Sequence, residues 1–122
     1  MFILSIDHVL VAALPGCEPD ARRFYGEILG LPELEKPPQL KAQGGCWFAL
    51  GNGQQLHVGV ECPFKPARKA HPAFVVDRFD ELRQLLLNHA GQVVDDTEIP
   101  GVRRFFSYDP FGNRLEFVER SA

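Results

Sequence analysis

The sequence predicts an α+β chain of two βαβββ modules, their strands forming one curved mixed sheet with the helices on its outer face. Three observations predict it. A short pattern occurs twice, glycine, two polar residues, leucine and then a metal-capable side chain: Gly53-Gln54-Gln55-Leu56-His57 and Gly112-Asn113-Arg114-Leu115-Glu116. The order of elements restarts after a linker-like stretch, so that His71 follows His8 by 63 residues and Glu116 follows His57 by 59. Strand parity then puts His57 and Glu116 on the face opposite Leu56, Val58, Leu115 and Phe117, which pack under the helices.

Each element has its own signal. Phe2–Ala13 is rich in apolar and β-branched residues and reads as a strand, with Ile6, His8, Leu10 and Ala12 on one face and Val9 and Val11 on the other. Leu14-Pro15-Gly16 breaks it. Pro19 and Asp20 open a helix whose stripe is Ala21, Phe24, Tyr25 and Ile28, closed by Gly30. Leu31–Glu35 is a short strand, and Pro37-Pro38 and Gly44-Gly45 bracket a loop. Cys46–Leu50 and Gln54–Glu61 are strands joined by the tight turn Gly51-Asn52-Gly53.

Residues 63–69, with two prolines and three cations, form the linker between halves 1–62 and 70–122 of a single domain spanning 1–122. The second half opens with the strand His71–Asp77. Asp77 is the expected N-cap of the next helix, with Asp80 in the capping-box position. Phe79, Leu82, Leu86 and His89 lie on one side of that helix and Gly91 ends it. Gln92–Asp95, Val102–Tyr108 and Asn113–Glu119 complete the module.

Composition sets outer bounds. A chain of 122 residues with 45% hydrophobic and 24% charged residues can bury a real core without staples. A net charge of −3 gives no nucleic-acid footprint. No apolar run reaches membrane-span length, and the first residues lack the basic start of a signal peptide. Cys17, Cys46 and Cys62 match neither a zinc pattern nor a disulfide framework, and Cys46 and Cys62 count as small apolar residues. The expected location is the cytoplasm.

His8, His57, His71 and Glu116 are the candidate metal ligands. A lone histidine on a strand is ordinarily a hydrogen-bonded core or surface residue. Here three imidazoles and a carboxylate stand at equivalent places in two copies, on the inward face. That donor set suits Zn, Ni, Fe, Co or Mn and is poor for Ca. His89, on a helix and without a counterpart, reads as structural. Trp47 and Phe106 are core or pocket walls. Arg103 and Arg104 face opposite ways, one solvated and the other, Arg104, placed to clamp a substrate anion.

The quoted motifs carry a resemblance. Ile6-Asp7-His8-Val9, Phe24-Tyr25 with Leu29-Gly30-Leu31, His71-Pro72-Ala73-Phe74-Val75-Val76-Asp77 and Asp109-Pro110-Phe111-Gly112-Asn113-Arg114-Leu115-Glu116 resemble the vicinal oxygen chelate superfamily. It includes glyoxalase I, fosfomycin and bleomycin resistance proteins, extradiol dioxygenases and methylmalonyl-CoA epimerase. The resemblance implies paired modules in a half-barrel-like cup around a divalent metal, in a homodimer. By motif it carries the ligand roles to His8, His71 and Glu116. The fourth place, His57 here, is commonly Glu in glyoxalase I and Gln in the epimerase. The implied function is a metal-dependent enzyme for a small oxygenated substrate that chelates the metal, with Glu116 and His57 moving protons. Lyase or isomerase chemistry stands ahead of extradiol-type dioxygenation. The alternative is a metal-free protein that sequesters a small molecule, as the bleomycin-resistance group does, using Trp47, Phe106 and Phe48 as stacking walls.

Overall fold

The computed structural model describes residues 1–89 and 91–121, leaving Ala90, inside the expected second helix, and Ala122 outside the description. The chain divides into two compact units, Met1–Lys65 and Pro66–Ala122. The division falls inside the stretch 63–69.

In the first unit β1 (His8–Ala13), β2 (Glu33–Leu34), β3 (Cys46–Ala49) and β4 (Gln55–Val60) form an open sheet in the order β1-β4-β3-β2. β1 runs parallel to β4, and the other pairs are antiparallel. The second unit repeats this with β5 (Ala73–Val76), β6 (Val94–Asp96), β7 (Arg104–Tyr108) and β8 (Arg114–Glu119), ordered β5-β8-β7-β6. β5 is again parallel to the last strand. The βαβββ order therefore occurs twice.

One face of each sheet is covered by its own helix. In the first unit Ala21, Phe24 and Tyr25 are buried with Phe48, Leu56 and Val58, and Tyr25 meets Phe48 with ring centroids 5.8 Å apart. In the second, Phe79 and Leu86 of α3 (Phe79–His89) are buried with Phe105, Leu115 and Phe117, and Phe79 meets Phe105 edge-on at 5.2 Å. Each aromatic or leucine side chain so buried stabilises its unit by about 1.5–3 kcal/mol.

Several local expectations change. The first strand begins at His8; Phe2, Ile3, Leu4 and Ile6 are exposed, because an apolar run becomes a strand only where another strand bonds to it. The first helix starts as α1 (Glu18–Ala21) and continues through Arg22–Ile28 in π-helical turns, with the Leu29 N–H donating to the Phe24 carbonyl at 2.9 Å. Ile28 is only partly buried as a result. The expected loop after Pro37 holds a helical turn, α2 (Pro38–Lys41). Asp77 does not cap α3. The helix starts one residue later than a cap there requires, Arg78 before it has φ +49°, and Asp80 is paired with Arg103. His89 is exposed at the helix end, and Cys62 is exposed rather than core.

The Asp109–Asn113 turn that launches β8 is a closed hydrogen-bonded unit. Asp109 Oδ1 accepts from the N–H groups of Phe111 and Asn113, each at 2.9 Å, and Oδ2 accepts from Asn113 Nδ2 at 2.8 Å. Gly112 takes φ +88°, open to glycine at little cost.

Candidate functional site

Strand register defines which residues are equivalent. Leu10 is opposite His57 across β1 and β4, as Ala73 is opposite Glu116 across β5 and β8. Trp47 is opposite His57 on β3, as Phe106 is opposite Glu116 on β7. His8 precedes Leu10 by two residues, and His71 precedes Ala73 by two. The duplication thus sets His8, Trp47 and His57 against His71, Phe106 and Glu116, all turned away from their own helix.

In the first unit these three side chains form a ladder of rings. Trp47 and His57 stack with centroids 4.0 Å apart and planes 2° from parallel, and His8 stacks on the other side of His57 at 4.1 Å and 16°. His57 is buried and its Nε2 lies 2.9 Å from Gln55 Oε1, which leaves Nδ1 open. Burial first, and His8 second, hold the His57 pKa below the usual histidine value. His8 is more exposed, with Nδ1 at 2.9 Å from Asp7 Oδ2 and Nε2 open. A metal takes an imidazole lone pair in the plane of the ring, and the lone pairs of stacked rings lie in nearly parallel planes that do not meet at one ion. Joint ligation of one ion by His8 and His57 therefore requires one ring to turn out of the stack.

The second unit builds a chain of charges at the equivalent place. His71 Nε2 lies 2.9 Å from Glu116 Oε1, and His71 Nδ1 donates to the Lys69 carbonyl at 2.7 Å. Arg104 Nη1 donates to Glu116 Oε2 at 3.2 Å, while its Nη2 reaches Asp96 Oδ1 at 3.1 Å. The N–H of Glu98 donates to Asp96 Oδ1, the main reason the Asp96 carboxyl sits below its ordinary pKa. Arg104 thus spends its fork on two carboxylates of its own unit. Phe106 meets His71 edge-on at 5.3 Å and carries the Arg114 guanidinium 3.9 Å above its ring. Arg114 was not singled out from sequence, although its alternation with Glu116 on β8 put it on this face. Arg103, on the other face, pairs with Asp80 and Glu119.

The donor chemistry fits a borderline divalent cation. The Lys69 carbonyl can only accept, so His71 Nδ1 carries a proton there and Nε2 is the nitrogen that faces Glu116 Oε1. His71 and Glu116 are the two residues of this unit that would hold a cation. Every imidazole of the set has one nitrogen held by a neighbour within two residues, the support that metal-bound histidines ordinarily have. Two donors come together in each unit. Among the described residues no three His, Cys, Asp or Glu side chains form a cluster able to hold a metal.

Comparison with known proteins agrees with the fold. No curated protein matches the chain. A crystal structure of a protein from Bacillus anthracis, assigned to the glyoxalase family, is 52% identical, with a TM-score of 0.93 over 99% of this chain and 98% of that one. A glyoxalase family protein from Enterococcus faecalis is 27% identical, with a TM-score of 0.74 over 98% and 100%. A glyoxalase/dioxygenase from Nostoc punctiforme shares the fold at 24% identity and a TM-score of 0.78, over 97% and 92%. The model of the Glyoxalase/Bleomycin resistance protein/Dioxygenase superfamily matches residues 5–117, and the chain belongs to that superfamily.

Proposed function

We propose that the chain is a divalent-metal-dependent enzyme acting on a small substrate that chelates the metal through neighbouring oxygens, by lyase or isomerase chemistry. The candidate ligands are His8 and His57 in the first unit and His71 and Glu116 in the second. The observation that carries the reading is the His71–Glu116 pair, whose Nε2 and Oε1 face each other 2.9 Å apart. When bound, the cation would supply Lewis-acid polarisation of the substrate oxygens.

The chain supplies the rest. Glu116 is the proton acceptor; Arg104, fixed by Asp96, holds its second oxygen and sets the direction of the carboxylate. Where His57 is left off the ion, its Nδ1, the nitrogen not held by Gln55, serves a second transfer. Its place among rings excludes water from both faces. Proton transfer favours isomerase or lyase chemistry over ring-cleaving oxygenation, which needs a further acid–base group. The chain would act as a homodimer: β1 is an unpaired sheet edge, and the apolar side chains of Phe2, Ile3 and Leu4 beside it are exposed. Sedimentation at micromolar concentration would show two chains.

The test is metal titration of chelator-stripped protein by calorimetry in buffers of different ionisation enthalpy. The expected result is stoichiometric uptake with release of about one proton per ion, lost in Glu116→Gln. Unstacking of His8 from His57 would also change the emission of Trp47, the only tryptophan. Absence of uptake for Zn, Ni, Fe, Co and Mn would remove the enzyme reading.

A further inference from the structure

The first unit contains a cleft of about 280 Å³ on the face that carries the ring ladder. Leu10, Ala12, Leu40, Trp47 and Val60 give it an apolar lining, and Gly59 forms part of its floor. The space is a consequence of sequence. Leu10 lies so close over Gly59 that a Cβ there would meet Leu10 Cδ1 at 2.9 Å, whereas the register-equivalent residue of the second unit is Val118. Gly45, in the place of Arg104, sends no side chain onto this face, and a Cβ on it would meet the Val58 carbonyl oxygen at 2.1 Å.

The polar part of the lining is specific. Lys36 is half-buried, with its ammonium held to the Gly44 carbonyl. No carboxylate pairs with it among the described residues, and a lysine ammonium keeps two further donors. It lines the cleft together with Trp47 and His57. Gln43 adds an amide, and Glu61 is the one carboxylate in the lining. An apolar cavity of about 150 Å³ accommodates benzene, so this cleft has room for one ring with a short substituent.

We infer that this cleft binds the body of a small monoanionic ligand, an aromatic or short branched carboxylate, with Lys36 on the carboxylate and Trp47 and Leu40 against the apolar part. The inference rests on the proposed function only in taking this ligand as the substrate; the binding itself requires no metal.

Three probes separate head from body: phenylacetate, neutral phenylacetamide, and acetate, each titrated into chelator-treated full-length protein and followed by Trp47 emission. Phenylacetate is expected to give a saturable change. Phenylacetamide and the Lys36→Gln variant are expected to bind roughly tenfold more weakly, the size of one charge-assisted hydrogen bond. Leu40→Ser, at a half-exposed position that leaves folding intact, is expected to weaken phenylacetate as well. The inference is overturned by the absence of saturable change at millimolar phenylacetate, by Lys36→Gln binding as tightly as the parent, by Leu40→Ser without effect, or by acetate matching phenylacetate. Metal uptake measured on the same preparation separates the two readings. Phenylacetate binding without metal uptake keeps the cleft and removes the metal enzyme, and uptake without phenylacetate binding does the reverse.

Discussion

The two units have one backbone plan and opposite contents. Leu50 and Asp109 open equivalent turns: the Gly53 N–H donates to the Leu50 carbonyl at 3.3 Å, and the Gly112 N–H to the Asp109 carbonyl at 3.0 Å. Gly53 and Gly112 have φ of +87° and +88°. On the strands that follow, the first unit stacks His8, His57 and Trp47 and leaves a cleft beside them. The second fills the equivalent surface with Arg104, Asp96 and Glu116. Main-chain hydrogen bonding therefore sets where a side chain stands, and the side chains alone decide whether that place is a pocket or an ion-pair network.

The largest test of this division exchanges residues across the register. Gly45→Arg, which installs the second unit's residue in the first, should cost more than about 3 kcal/mol, since φ is +86° and the Val58 carbonyl oxygen occupies the Cβ position. Urea denaturation should find it largely unfolded, while the reverse exchange, Arg104→Gly, should remain folded. The turns give a smaller contrast. Asp109→Leu removes the acceptor of three N–H groups and should cost about 2–4 kcal/mol, against under about 1 kcal/mol for Leu50→Asp. Smaller again is alanine at the turn glycines. Gly53→Ala meets nothing within 4 Å and should cost about 1 kcal/mol for its backbone conformation alone. Gly112→Ala should cost more, because its Cβ would also meet Pro66 Cγ at 3.3 Å.

The last contrast is chemical. Glu18 accepts from the Gly45 N–H at 2.8 Å, and that bond holds its carboxyl below the usual range. A depressed carboxyl stabilises the fold above its unfolded pKa, and this stability is lost as pH falls through the folded value. Glu18→Gln should therefore flatten the acid limb of the urea midpoint. At alkaline pH the sign reverses for Cys17, whose thiol is pushed up to about 11 by burial and then by Glu18. Iodoacetamide at mildly alkaline pH should label exposed Cys62 and spare buried Cys17 and Cys46, and all three should react once the chain is denatured.

What could be read from the sequence follows the same division. Alternation along β4 and β8 was enough to separate Leu56 and Leu115 from His57 and Glu116, because strand parity is a local property. It also set Arg103 and Arg104 on opposite faces. Pairing is not local. Residues 2–6 look like a strand in isolation and pair with no strand among the described residues, and the Arg22–Ile28 widening leaves no mark on a helical apolar stripe. Arg104 shows the limit for function. Its face was legible, but its commitment to Asp96 and Glu116 depends on β6, β7 and β8 lying side by side, which no single segment encodes.

The ring ladder has an electronic consequence. An imidazole held flat between an indole and a second imidazole is coupled to both π systems, so any event that protonates, ligates or rotates it alters the light emitted by Trp47. The chain carries a built-in optical gauge of its own first unit, readable without label or substitution.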